Sequence, residues 1–129
     1  MIKDVENLVK EIISEKNDRN IHPRDKRDIT TTQLRLLLSN AVIVKNKIEL
    51  KSKENKLSEE LQGEVKYLLI KHMYQCGKDS SPKKDSKLKK FDKTFEISSE
   101  LRKIKTAEEF NKFYRYLEEI VAYVKYYNE

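Results

Sequence analysis

The sequence predicts a single-domain, all-α bundle of about five helices. Three observations carry that prediction. Only 2 Gly and 2 Pro occur in 129 residues, so the punctuation that hairpins and helix breaks require is nearly absent. Apolar residues recur at helical spacing through most of the chain. Two Thr-x-x-Gln/Glu sequences, Thr30 to Gln33 and Thr106 to Glu109, have the form of capping boxes that open helices. We expect one domain over residues 1–129, with an N-terminal helix within 1–19 and a core bundle over 30–127.

Residues 3–17 place Val5, Leu8, Val9, Ile12 and Ile13 on one stripe of a short amphipathic helix, which needs a neighbour to hold it. Residues 18–29 form a polar segment with Pro23, in which Arg19, Arg24, Lys26 and Arg27 outnumber Asp18, Asp25 and Asp28. That segment is either a solvated connector or a phosphate-contacting loop. A second helix runs from Thr30 to about residue 51, with Leu34, Leu37, Leu38, Ala41, Val42 and Ile48 inward. Lys45 interrupts its stripe. A buried ammonium is costly, so Lys45 must snorkel to water or meet an anion.

Ser58 can cap a third helix whose apolar face is Leu61, Val65, Leu68, Leu69, Met73 and Cys76. Gly63 weakens this helix by about 1 kcal/mol relative to Ala unless another helix crosses closely there. His72 reads as a histidine at the core edge, and Gly77 fits a C-cap. Residues 78–90 hold the densest basic run, Lys78, Lys83, Lys84, Lys87, Lys89 and Lys90 against Asp79 and Asp85. Such a run is a solvated loop or a polyanion-binding arm. Leu88, Phe91, Phe95, Leu101 and Ile104 suggest a fourth helix over about 86–104, and Thr106 opens the last. There Phe110, Phe113, Leu117, Ile120, Val121 and Val124 face inward, while Tyr116, Tyr123, Tyr126 and Tyr127 lie off the main stripe. Those tyrosines pack against a helix or another subunit, or stack on bases.

Charged residues make up 39% of the chain and hydrophobic ones 37%, which suits a thin core between helices under a solvated surface. Lys and Arg number 28 against 22 Asp and Glu, a net charge of +6 that favours phosphate-bearing partners. Cys76 is the only cysteine, so no disulfide can form within the chain, as suits a reducing cytoplasm. The opening MIKDVENLVKEII carries charges throughout, unlike a signal peptide, and no apolar run approaches a membrane span. There is no glycine-rich phosphate loop, HExxH or CxxC, and no nucleophile–base pair is suggested. The expectation is a protein that is not an enzyme and needs no cofactor or metal.

Three ordered motifs refine this picture. Thr31-Thr32-Gln33-Leu34-Arg35 opens one helix, and Tyr74-Gln75-Cys76-Gly77-Lys78 closes the next. Phe110-x-x-Phe113-x-x-x-Leu117-Glu118-Glu119-Ile120-Val121-Ala122-Tyr123-Val124-Lys125 lies near the end. Over about residues 29–127 the chain resembles the small helical subunit of type III-A CRISPR effector complexes, the Csm small subunit. Lys78 stands where that family usually has Arg, which keeps the charge but loses bidentate phosphate geometry. Gln75 and Cys76 replace small residues, Glu119 replaces Ala, and Val124 replaces a family histidine.

The resemblance implies a non-catalytic subunit in antiviral defence. It implies copies stacked head to tail inside a ribonucleoprotein, self-association, and partners in guide RNA, target RNA and the other subunits. RNA cleavage, DNase and cyclic-oligoadenylate activities are implied for other subunits. In a machine whose base pairing reads sequence, such a subunit needs cations for phosphate and sticky surfaces for stacking, for which the first and last helices are candidates. The candidate RNA-binding residues are Arg24, Arg27, Arg35, Lys71, Lys78, Lys83, Lys84 and Lys89. Arg35 lies in a first helical turn, where the dipole also favours anions. Two rival readings are a helix-turn-helix regulator reading DNA through Gln33, Arg35, Ser39 and Asn40, and a helical adaptor without nucleic acid.

Overall fold

A computed structural model describes residues 1–28, 31–78 and 86–128 of the chain. Among these, α1 (Val5–Asn17), α2 (Thr31–Lys51), α3 (Glu59–Lys78), α4 (Lys87–Phe95), α5 (Ile97–Lys103) and α6 (Ala107–Tyr127) form an all-α bundle, with a short 3₁₀ turn at Pro23–Asp25. The proposed Thr30 cap, Lys83 and Lys84 lie outside the described residues.

Local chemistry accounts for most helix starts. The Asp4 carboxylate accepts the Asn7 amide at 3.1 Å and caps α1. Ser58 Oγ accepts the Leu61 amide at 3.2 Å before α3. The Thr106–Glu109 capping box is complete: Thr106 Oγ1 accepts the Glu109 amide at 3.1 Å, and Glu109 Oε1 accepts the Thr106 amide at 3.0 Å.

Helix α6 is the spine. Helix α1 packs on one side of it and α2 on another, α3 lies against α2, and α4 and α5 close over α3. Val5, Val9 and Ile12 join Leu37, Val44, Leu68, Phe95, Phe110 and Ile120 in one continuous core. The N-terminal helix is therefore part of that core, and its apolar stripe is spent within its own chain. Lys45 meets an anion: its Nζ lies 2.6 Å from Glu49 and 5.3 Å from the centre of the Tyr114 ring.

Four expectations change. The expected fourth helix is two helices, so the described residues hold six where about five were expected. Glu96 breaks it with a left-handed backbone at φ 60°, which turns Phe95 and Ile97 both into the core. Tyr116 is buried, and its hydroxyl donates to the Phe95 carbonyl at 2.7 Å, a group that the break leaves without a helical donor. Met73 turns outward, and His72 takes the inward position. Gly77 does not form the expected C-cap, while Gly63 keeps its expected cost because no helix among the described residues crosses closely there. Gly77 lies within the last turn of α3 and has no positive φ, and a Cβ at Gly63 would meet nothing within 4 Å.

Candidate nucleic-acid interface

The ion pairs Lys47–Glu64 at 3.0 Å and Lys51–Glu60 at 3.1 Å set α2 and α3 antiparallel. The start of α2, with Arg35 as its fifth residue, therefore lies level with the last turn of α3, with Lys78. Ser86 ties α4 to the same place. Its hydroxyl donates to the Cys76 carbonyl at 3.0 Å and accepts the Lys89 amide at 2.9 Å, capping α4. The 18–28 segment is anchored there by Lys87–Asp28 at 3.0 Å and by Lys90 Nζ on the Arg24 carbonyl. Arg24, Arg35, Lys78 and Lys89 are thus gathered, all exposed, at one end of the bundle.

Lys71 lies on the same face of α3 as Lys78, two turns back, with its Nζ 4.6 Å over the Tyr67 ring. Arg27 stands apart. Its Nε donates to Glu15 at 3.0 Å and its Nη2 to Glu11 at 2.9 Å, with a further contact to Glu15. The guanidinium is committed within the chain, to carboxylates on α1.

The sequence reading passed over the exposed aromatics of α3. Tyr67 and Tyr74 are 56% and 65% exposed, and Leu36 and Ile43 of α2 are also exposed. The signal was present as a second stripe, Tyr67, Ile70 and Tyr74, beside the buried one.

A cluster that resembles a catalytic set lies where α3 packs against α4. His72 Nε2–H donates to Asp92 Oδ1 at 2.8 Å, and the Cys76 sulfur lies 3.8 Å from the same nitrogen. A relay needs the carboxylate on one ring nitrogen and the nucleophile on the other. Here both use Nε2, and His72 and Cys76 are both buried. Burial pushes the Asp92 carboxyl up, but hydrogen bonds from His72 and Ser98 outweigh it and hold the group below its ordinary range. The cluster joins α3 to α4 and α5. Among the described residues no group of His, Cys, Asp and Glu is arranged to hold a metal ion, and no helix is long and apolar enough to cross a membrane.

The sequence profile of the family described as Csm2 Type III-A matches residues 4–129. The chain belongs to that family. A Streptococcus thermophilus protein described as "CRISPR system Cms protein Csm2" is 34% identical to it over 99 residues, which span 77% of this chain and 73% of the relative. The three-motif resemblance to the Csm small subunit is therefore sound. Csm2 membership makes the chain a subunit of a type III-A CRISPR complex, with the other Csm subunits as its partners.

Proposed function

We propose that this chain is a non-catalytic, RNA-binding structural subunit that grips the backbones of guide and target RNA in the cytoplasm. The observation that carries the reading is the gathering of Arg24, Arg35, Lys78 and Lys89 at one end of the bundle, with Lys71 continuing the line along α3. Lys83 and Lys84, which lie between Lys78 and Lys89 in the sequence, are included in the proposal on their charge alone. Arg27 is left out, because Glu11 and Glu15 already answer its charge. A surface of this kind reads phosphate and not sequence.

Head-to-tail stacking of copies completes the proposal. Helix α1 is sealed within its own chain, so stacking falls to apolar residues outside the core. Leu50, near the end of α2, and Tyr126, near the end of α6, are both strongly exposed. The α6 start lies beside the α2–α3 connection, where the Ala107 amide donates to the Asn55 carbonyl at 2.7 Å. Leu50 and Tyr126 therefore sit towards opposite ends of the bundle. The DNA-regulator reading needs a short recognition helix after a tight turn. Helices α2 and α3 instead run 21 and 20 residues, antiparallel.

Filter binding of unrelated RNA strands across a salt series tests the proposal. Weak, sequence-indifferent affinity is expected, with a log–log salt slope of about −0.7 for each phosphate contacted. Preference for one duplex DNA sequence would establish the regulator, and no binding at low salt the adaptor.

A further inference from the structure

The groove between α2 and α3 has a second use, which rests on the RNA-binding reading above. Its middle is a recess of about 150 Å³ lined by Asn40, Ile43, Lys47, Glu64, Tyr67 and Lys71. That volume holds several waters, and it opens beside an aromatic ring that is itself more than half exposed. We propose that this recess takes an unpaired nucleobase of the bound RNA, stacked on Tyr67.

The charge around the recess points to a nucleotide. Lys47 and Glu64 neutralise each other across the groove at 3.0 Å. Lys71 has no carboxylate partner among the described residues, and its ammonium stands over the Tyr67 ring. It is placed to meet the phosphate of a nucleotide whose base lies on that ring. The Asn40 amide offers both a donor and an acceptor, so it can serve the edge of any base. Ile43 supplies an apolar wall.

The groove also continues into the cationic end. Lys71 and Lys78 are two turns apart on one face, a rise of about 10 Å, with Tyr74 between them. The order Tyr67, Lys71, Tyr74, Lys78 alternates ring and charge along that helix, the pattern of single-strand binding surfaces. A second protein is a poorer occupant. Interface centres are depleted of lysine, and a lysine lies in the middle of this patch. Stacking on a ring accepts every base, as a guide-programmed complex requires.

Anisotropy of labelled oligoadenylate and oligouridylate with the full chain, across a salt series, tests the proposal. Tyr67→Ala is expected to weaken both RNAs roughly tenfold or more with the salt slope unchanged, because stacking releases no counterions. Tyr67→Phe should bind as the parent does. Lys71→Ala should make the slope shallower by about 0.7. Thermal melting of each variant should match the parent, since Tyr67 is exposed. Parent-like binding by Tyr67→Ala would overturn the base site while leaving the backbone-binding reading intact. Failure of the parent chain to bind either RNA would overturn both. If Tyr67→Ala instead lowers the oligomeric mass in sedimentation and leaves RNA affinity unchanged, the groove is a protein-docking face and the proposal falls.

Discussion

Asp92 on α4 accepts the buried ring N–H of His72 on α3 at 2.8 Å. The same carboxylate accepts the Ser98 amide at 2.8 Å and the Ser98 hydroxyl at 2.7 Å. One acid thus joins α3, α4 and α5, and it caps α5 just after the Glu96 break. Phe95 and Ile97 stay buried on either side of that break because Asp92 and Tyr116 satisfy the backbone groups it exposes.

Asp92→Ala leaves the His72 donor and the Ser98 amide unpaired. The expected loss is about 1–3 kcal/mol, read as a fall of several degrees in the melting temperature. The pH dependence has a definite sign. The folded carboxyl is held below its ordinary value near 3.8, so its ionised form stabilises the fold. The difference between parent and Asp92→Ala should be fully present above the ordinary carboxyl range. It should shrink as the pH falls through the lower folded value. Urea titrations at several acid pH values measure this, and a difference that grows on acidification would contradict it.

Tyr116→Phe removes one oxygen and leaves the Phe95 carbonyl without its buried donor. A loss of about 1–3 kcal/mol is expected in denaturant unfolding. An unchanged midpoint would mean that water reaches that carbonyl.

Gly63→Ala should raise stability by about 1 kcal/mol. The position is within α3, its added Cβ meets nothing, and alanine restricts the unfolded chain. A rise in melting temperature of a few degrees is the expected outcome, and a fall would reveal a neighbour that packs there.

Arg27 and Arg35 should separate cleanly. Arg27→Ala leaves Glu15, largely buried against it, without its charged partner, so a loss of about 1–3 kcal/mol in stability is expected with RNA affinity little changed. Arg35→Glu should do the reverse: weaker RNA binding at an unchanged melting temperature, because the side chain is exposed. Parallel melting and filter-binding series check both, and a large drop in melting temperature for Arg35→Glu would make that residue structural.

Much of this protein was legible in its sequence because the signals were local. Helical periodicity set the stripes of α1, α2, α3 and α6, and hydroxyl caps at Ser58 and Thr106 set two starts, all within a few residues of chain. Composition and spacing also marked Arg35 and Lys78 as cations at helix ends. The antiparallel register of α2 and α3, drawn from pairs 17 and 9 residues apart, was needed to bring those ends together. Tertiary structure alone decided the break at Glu96, since a left-handed residue there depends on Asp92 and on Tyr116, 21 residues from the carbonyl it serves. It alone turned His72 inward and Met73 outward, because which of two neighbouring stripes is buried depends on where α4 lies. It alone paired Arg27 with carboxylates 12 and 16 residues away. A periodic pattern states that a helix has a face to bury. Only the neighbouring helix decides which charges and rings remain for solvent or a partner.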